Sequence, residues 1–293
     1  MPLTYTRTFR VRHYECDAYG HVNAPNYLRY MQEAAMEASA AVGYDEARYL
    51  TLGSLWLIRE TDIEYLAPLR YGDSVAVTTW VEDFRRVRSR RRYEFVKVGT
   101  DERVAQAATD WVYIDRTSGQ PAHIPQVMID AFMEHGVPAS ASPREKFPDA
   151  PPAPPGAFTL RRRVEWRDID AAGHVNNATY ANYIEDAAIQ AARAVGWPLA
   201  RMQAEHLAAM ARRHRIEYRQ QAALDDELLI TTYLSDVRRS TVTRHYKIER
   251  PADGTLILQA YSVWMAVDLS ADRLTRFPAS FNDDFASTIA REP

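Results

Sequence analysis

The chain has 293 residues, and at ~100 to 200 residues per domain this length predicts about two domains. Hydrophobic residues make up 46% of it and charged residues 26%, which excludes the collagen-like, disordered and membrane-spanning classes of protein. The formal net charge is only -3, so neither nucleic acid nor an anionic membrane is expected as the main partner.

The chain opens on MPLTYTRTFR, which has no apolar segment of the kind that a signal peptide needs. No run approaches the ~18 apolar residues of a membrane span, and we therefore expect a cytoplasmic location. The single cysteine, Cys16, cannot form an intrachain disulfide or supply the thiol ligands of a structural zinc site. The fold is expected to be held by packing.

The predicted elements begin with a strand in the alternating stretch from Arg10 to Tyr14. An alanine-rich segment with helical spacing follows from about Pro25 to Val42, with Asn23 as its cap, and Gly43 ends it. Four strand-like runs come next, roughly Trp56 to Tyr65, Ser74 to Phe84, Arg91 to Val98 and Val104 to Ile114. A long helix followed by an antiparallel sheet predicts an α+β domain in which the helix lies across one face of the sheet.

An internal repeat produces this order twice. The segment CDAYGHVNAPNYLRYMQEAA, from Cys16, aligns without a gap with IDAAGHVNNATYANYIEDAA, from Ile169. Seven of the 16 prolines lie between residues 138 and 155, a composition typical of an extended, semi-rigid spacer. The sequence therefore predicts domains at residues 1–137 and 157–293, joined by a proline-rich linker at residues 138–156.

Each repeat carries the motif Asp-x-x-Gly-His-Val-Asn before its helix, at residues 17–23 and 170–176. A helix N-terminus offers unpaired backbone N–H groups and a partial positive charge, which can polarise a carbonyl or hold an anion that develops on it. A carboxylate a few residues upstream could attack that carbonyl or take a proton from water, and the motif glycine leaves room for substrate. The His and Asn side chains would orient the substrate.

At these residues the sequence resembles the hotdog-fold thioesterases, particularly the 4-hydroxybenzoyl-CoA thioesterase-like family and, through the tandem arrangement, the acyl-ACP thioesterases. Residues 63–73, IEYLAPLRYGD, look like the second strand of that family and the turn after it. The resemblance covers nearly all of both repeats. It implies a tandem double hotdog, in which each antiparallel sheet wraps around one long central helix. It also implies an intrachain pseudo-dimer with thioester sites at the pairing interface, and leaves further homo-oligomers open.

The resemblance also implies roles for the motif residues. Asp17 and Asp170 match the acidic residue that acts as base or nucleophile. Backbone amides match the oxyanion side around Gly20, Ala24, Gly173 and Asn177. The other candidates for substrate contact are the His and Asn of each motif and one helix tyrosine of each repeat: His21, Asn23, Tyr27, His174, Asn176 and Tyr180. Plant acyl-ACP thioesterases place an Asn two residues before the His, where this chain has Tyr19 and Ala172.

The implied function is hydrolysis of acyl-CoA or acyl-ACP thioesters to a carboxylic acid and a free thiol, with no cofactor. Two alternatives stay open, a hotdog enoyl-thioester hydratase or dehydratase and a noncatalytic acyl-thioester-binding protein. Asp17 and Asp170 could also be helix-start carboxylates that bind their own backbone. A metal site is discarded because no third or fourth ligand stands at a useful spacing.

Two further features carry alternative interpretations. The run RRVRSRRR at residues 85–92 could bind CoA phosphates or an acidic carrier protein, mainly through Arg88, Arg90 and Arg92, or it could be a solvated hairpin. Cys16 lies beside Asp17, but its repeat counterpart is Ile169. The position is therefore interpreted as a small apolar site and not as a thiol nucleophile.

Overall fold

The computed structural model describes residues 2–133 and 143–290. The chain forms two compact units, Met1–Lys146 and Phe147–Pro293. Part of the predicted linker, residues 138–142, lies outside the described residues. Residues 143–154 belong to neither a helix nor a strand.

Within residues 2–133 the first unit contains five strands and three helices in the order strand, helix, helix, four strands, helix. Their bounds are β1 Thr4–Arg10, α1 Ala24–Ala41, α2 Glu46–Thr51, β2 Ser54–Tyr65, β3 Ser74–Phe84, β4 Arg88–Lys97, β5 Arg103–Asp115 and α3 Gln126–Phe132. The strands pair antiparallel in the order β1-β3-β4-β5-β2. A one-turn 3-10 helix, His13–Glu15, precedes the first motif.

The second unit repeats this plan. Its elements are β6 Phe158–Arg163, α4 Asn177–Ala194, α5 Leu199–Ala204, β7 Leu207–Tyr218, β8 Glu227–Ser235, β9 Thr241–Arg250, β10 Thr255–Asp268, β11 Arg273–Leu274 and α6 Ser280–Phe285. The strands pair antiparallel in the order β6-β8-β9-β10-β7, and the short β11 pairs with β10. The 3-10 helix Trp166–Asp168 precedes the second motif.

The long helix of each unit packs on its sheet through a stripe of buried side chains. In α1 the buried positions recur every three or four residues, and they include Tyr27, Met31, Ala34 and Ala38. Tyr27 reaches Phe95 of β4, with ring centroids 5.5 Å apart, so the helix covers the face of β4 that carries Phe95. The predicted α+β class is confirmed in both units.

The structure differs from the predicted elements in three places. The first strand is Thr4–Arg10, so the strand predicted from Arg10 to Tyr14 is wrong, because residues 13–15 turn into a 3-10 helix. β4 begins at Arg88, three residues before its predicted start, which places most of the arginine run inside the sheet. The short helices α2 and α3 were not predicted.

Two side chains near the start of the described part of the predicted linker are packed or paired. Arg144 forms ion pairs with Asp83 and Asp110 of the first unit. Phe147 is buried in the second unit, where its ring lies 5.8 Å from that of Tyr261. Each of these two residues thus contacts the unit to which it belongs.

Candidate active site

A tight turn formed by the first motif fixes the carboxylate of Asp17. Its Oδ1 accepts hydrogen bonds from the backbone N–H groups of Tyr19, at 2.8 Å, and His21, at 3.1 Å. Its own N–H donates to the carbonyl of His21 at 2.8 Å, which closes the turn. The side chain is half-buried, and Oδ2 accepts no hydrogen bond from any described residue.

The second motif forms a similar turn around Asp170 with different donors. Oδ1 accepts from the backbone N–H of Ala172 at 2.9 Å, and the N–H of Asp170 donates to the carbonyl of His174 at 3.1 Å. Oδ2 accepts from the side-chain amide of Asn176 at 3.2 Å. Each carboxylate therefore accepts two hydrogen bonds, both at Oδ1 in Asp17 and one at each oxygen in Asp170.

The turn depends on the motif glycine for its shape. Gly20 has φ +76° and Gly173 has φ +82°, a backbone conformation that residues with a side chain rarely adopt. Their N–H groups donate to the carbonyls of Asp17, at 3.0 Å, and Asp170, at 2.9 Å. These two amides are therefore engaged in the turn, which disagrees with the oxyanion role that the resemblance implied for them.

The first backbone amide of each long helix stands directly after the motif. Among the described residues, neither the N–H of Ala24 nor that of Asn177 has a hydrogen-bond partner. An unpaired N–H at a helix N-terminus can bind an anion, and the helix dipole adds to its attraction. Of the four predicted oxyanion positions, Ala24 and Asn177 are the ones whose amides can serve.

The motif asparagines differ between the repeats. Asn176 caps α4, because its Oδ1 accepts from the N–H of Ala178 at 2.9 Å while its Nδ2 binds Asp170. Asn23 also precedes its helix, but its side chain makes no cap hydrogen bond, and its Oδ1 is buried without a partner among the described residues. Asn23 thus occupies the predicted N-cap position, as Asn176 does in the second repeat, but without the side-chain hydrogen bond that Asn176 makes.

The motif histidines are both half-buried. The backbone of His21 closes the first turn, and in the second repeat His174 Nδ1 lies 3.3 Å from the carbonyl of Val175. The helix tyrosines are core residues: Tyr27 packs against Tyr65 and Phe95, and the hydroxyl of Tyr180 accepts from the N–H of Ala222 at 3.2 Å. Substrate contact by any of the four side chains stays a prediction.

A buried carboxylate two residues before each catalytic candidate escaped the sequence analysis. Glu15 accepts from the hydroxyl of Tyr30 at 2.6 Å, and Asp168 accepts from that of Tyr183 at 2.7 Å. Each carboxylate also accepts one backbone N–H at the start of its own 3-10 helix, and each backbone carbonyl accepts the N–H of the motif asparagine at 2.9 Å. These residues join the motif to the middle of the helix. Their occurrence in both repeats at the same spacing was the available signal.

The arginine run is largely engaged within the first unit. Arg90 is buried and lies 3.5 Å from Asp110, while Arg92 forms two hydrogen bonds with Glu82, at 2.9 and 3.0 Å. A phosphate would have to compete with these carboxylates, which argues against the predicted role for both residues. Arg88 is exposed, and a phosphate contact there stays a prediction.

Cys16 has the character of a structural residue. Its thiol is half-buried, and burial raises its pKa, with the charges of Asp17 and Glu15 acting in the same direction. A raised pKa disfavours the thiolate that a nucleophile needs. In the described part of the chain, no three His, Cys, Asp or Glu side chains cluster in a way that could hold a metal ion.

A family model described as the thioesterase-like superfamily matches residues 11–132 and again residues 164–285. The chain belongs to the thioesterase-like superfamily. Both matches contain a motif, its helix and the strands that follow, and the tandem hotdog fold predicted from the resemblance is confirmed.

Two solved structures are similar to this chain over most of its length. A putative oleoyl thioesterase from Lactobacillus plantarum superposes with a TM-score of 0.77 at 18% identity, covering 90% of this chain and 96% of that one. The 12:0-ACP thioesterase from Umbellularia californica gives 0.73 at 18% identity, with coverages of 90% and 94%. At these identities the likeness shows the fold.

A further similarity is one of sequence. The palmitoyl-acyl carrier protein thioesterase of Gossypium hirsutum chloroplasts is 22% identical over 243 residues, which are 80% of this chain and 56% of the relative. The chain spans about half the length of the curated relatives it matches. No helix within residues 2–133 and 143–290 is long and apolar enough to cross a membrane.

Proposed function

We propose that the chain hydrolyses acyl thioesters, releasing a carboxylic acid and a free thiol. One observation carries the proposal: each repeat fixes an aspartate carboxylate in a turn directly before a helix whose first N–H is unpartnered among the described residues. Membership of the thioesterase-like superfamily supports it, as do the names of the relatives.

In the proposed reaction the thioester carbonyl faces the N-terminus of α1 or α4. The N–H of Ala24 or Asn177 binds the oxyanion that forms, and the helix dipole stabilises its charge. Asp17 or Asp170 acts from the adjacent turn. It either takes a proton from the attacking water or attacks the carbonyl carbon itself. In both routes the tetrahedral intermediate collapses, the C–S bond breaks and the departing thiolate takes up a proton. In the second route water then cleaves the anhydride that is left.

The test replaces each aspartate by asparagine, singly and together, and measures thiol release from a panel of acyl-CoA and acyl-ACP thioesters. Asparagine keeps the Oδ1 acceptor of the turn but removes the basic carboxylate, so kcat should fall on the order of 10² to 10⁴-fold. Stability should change by less than about 1 kcal/mol.

The chain offers a matched control for this test. Asp115 and Asp268 are also related by the repeat, and each accepts backbone N–H groups two and three residues ahead in a hairpin turn, away from the motifs. Asp115→Asn and Asp268→Asn should leave kcat unchanged. A folded Asp17→Asn/Asp170→Asn double variant that keeps the parental rate would return the aspartates to a purely structural role.

Two further measurements distinguish a hydrolase from the two alternative functions. Turnover of 2-enoyl thioesters at carbon, without thiol release from saturated thioesters, would assign the chain to the hydratases or dehydratases. Tight binding of acyl-CoA without any turnover would indicate a noncatalytic binding protein. The same panel decides between CoA and carrier-protein substrates.

A further inference from the structure

Each repeat buries one arginine that no carboxylate neutralises within the described residues. Arg91 on β4 and Arg244 on β9 occupy equivalent positions, and each is only 6% exposed. In both, Nη1 donates to the hydroxyl of a fully buried threonine at 3.4 Å, Thr79 in one repeat and Thr232 in the other. A guanidinium has five N–H donors, so most of the binding capacity of each group is unused in the described structure.

Burial of such a cation is costly. An ionised group that leaves water without a partner of opposite charge loses several kcal/mol of solvation, and this loss is recovered only by pairing. Burial lowers the pKa of both arginines, while the neighbouring Tyr93 and Tyr246 act in the opposite direction. Selection for stability alone favours an apolar residue at such positions.

The arginines on either side of Arg91 have carboxylate partners. Arg90 pairs with Asp110 and Arg92 pairs with Glu82. The counterpart positions in the second repeat hold neither the arginines nor the acids, but Thr243, Val263, His245 and Ser235. Other ion pairs recur in both repeats, as Lys97–Asp73 does in Arg250–Asp226. Arg91 is also matched by an arginine, although no ion pair accounts for the match.

Arg91 lies some distance along β4 from the candidate active site of the same unit. Arg91 lies on the buried face of β4 that also carries Tyr93 and Phe95. Phe95 contacts Tyr27 in the first turn of α1, and at ~3.3 Å per residue Arg91 lies about 13 Å further along the strand. There its guanidinium stands 5.7 Å from the ring centroid of Phe132. The cation is therefore remote from the motif, in apolar and aromatic surroundings.

We propose that Arg91 and Arg244 each bind a carboxylate at the far end of the acyl group, which makes thioesters of dicarboxylic acids the preferred substrates. The inference rests on the proposed function, since it assumes that the thioester carbonyl lies at the motif. The planar guanidinium can bind both oxygens of a carboxylate at once, and the apolar surroundings suit the hydrocarbon part of the chain. Arg91 and Arg244 are thus specificity-determining residues and take no part in bond cleavage.

The test compares pairs of substrates that differ only at the far end of the acyl group. Hexanoyl-, octanoyl- and decanoyl-CoA are each compared with the dicarboxylic thioester of the same length. The intact protein should favour the dicarboxylic member at one or more lengths. Arg91→Met and Arg244→Met together should lower kcat/KM for that member about 10 to 100-fold, the range for a hydrogen bond to a charged group. The uncharged member should be turned over at the parental rate or faster.

Each matched control removes an exposed arginine from a strand and leaves Arg91 and Arg244 in place. Arg103 on β5 and Arg161 on β6 are exposed, so Arg103→Met and Arg161→Met should leave both substrates unaffected. Arg91→Lys and Arg244→Lys keep the charge without the planar fork and should restore part of the preference. An equal loss on both members of a pair would mean that the arginines support the fold alone.

Thermal unfolding gives a readout that needs no catalysis. Octanedioic acid should raise Tm, octanoic acid should raise it less, and the Met variants should abolish the difference. Protection by inorganic phosphate as strong as that by octanedioic acid would overturn the inference, because it would show a general anion site. The Met variants should also be at least as stable as the parent, since a buried unpaired charge has been removed.

The two proposals fail separately. Absence of thiol release from every thioester, with selective protection by octanedioic acid, would overturn the hydrolase assignment and leave the carboxylate site. Normal hydrolysis with equal kcat/KM for both members of every pair would overturn the carboxylate site and leave the hydrolase assignment.

Discussion

The buried pairs Glu15–Tyr30 and Asp168–Tyr183 should stabilise each unit and position its motif. Tyr30→Phe and Tyr183→Phe each delete one hydroxyl that donates to a buried carboxylate, at 2.6 and 2.7 Å. A hydrogen bond to a charged group contributes about 1.5 to 3 kcal/mol. For a unit of ~150 residues this corresponds to a fall in Tm of about 3 to 12 °C.

Tyr5→Phe is the control. The half-buried hydroxyl of Tyr5 donates to Glu37 at 3.1 Å, and a pair so near the surface should contribute under about 1 kcal/mol.

The same two tyrosines should make the free energy of unfolding depend on pH. Burial raises the pKa of Tyr30 and Tyr183, and the hydrogen bonds to Glu15 and Asp168 raise it further. The folded protein therefore holds these protons more tightly than the unfolded chain, in which tyrosine titrates near pH ~10. Stability should be fully present below that pH and should fall above it, by up to about 1.4 kcal/mol per pH unit for each tyrosine.

Urea unfolding of the parent and the three Phe variants between pH 8 and 11 measures both effects, and thiol release measures activity. The carbonyl of Glu15 accepts the N–H of Asn23 and the side-chain amide of Asn26, so loosening Glu15 should also disturb the first motif. We expect kcat to fall with stability in Tyr30→Phe. The reasoning would be refuted if Tyr183→Phe were no less stable than Tyr5→Phe and its stability fell with rising pH as steeply as that of the parent.

Further predictions concern other buried or exposed charges. Burial lowers the pKa of His214 to about 4, so stability should fall as the pH drops from about 6.5 towards 4, and His214→Gln but not the exposed His123→Gln should flatten this part of the urea-unfolding profile. Arg144→Met removes one of the two arginines that pair with each of two buried carboxylates, and should destabilise the first unit by about 1.5 to 3 kcal/mol in the same assay. Arg88→Gln should raise KM for acyl-CoA at low salt with kcat nearly constant, and an unchanged KM would favour the solvated-hairpin interpretation. Cleavage within residues 138–155 should leave the two halves associated in sizing experiments, as the resemblance to paired hotdogs implies.

Periodicity and self-comparison predicted the α+β layout and its duplication, but not the first strand or the short helices α2 and α3. The buried positions of α1 recur with the helical period, and Gly43, at φ +83°, stands where the sequence predicted the helix to end. The strand from Arg88 shows where local pattern fails. A run of arginines suggests solvent, yet Arg90 and Arg91 are buried, because the partners that accept them, Asp110 and Thr79, lie on neighbouring strands far away in sequence. A single sequence does not show such pairings.

The candidate site was predictable only as far as its local turn. Asp17 and Asp170 stand out because the motif is contiguous and repeated, and the turn that fixes them is built from residues within four positions. Glu15 and Tyr30 are 15 residues apart, and neither belongs to a recognisable motif. Their contact arises because the chain folds back from the 3-10 helix onto α1, which depends on tertiary structure.

The two repeats form similar turns but support the aspartate through different hydrogen-bond donors. This difference determines how the single aspartate variants are interpreted. In the second repeat Asn176 both caps the helix and binds Oδ2 of Asp170. In the first, Oδ1 of Asn23 is buried without a partner among the described residues, and Oδ2 of Asp17 accepts no hydrogen bond from them. A carboxylate oxygen that accepts no hydrogen bond from the protein is open to a water molecule or a carbonyl carbon, whereas one that accepts a hydrogen bond is held in position. Oδ2 of Asp17 is therefore the more open oxygen and Oδ2 of Asp170 the better-positioned one. A larger loss of kcat in Asp17→Asn would indicate that access to the carboxylate limits the reaction, and a larger loss in Asp170→Asn would indicate that positioning does.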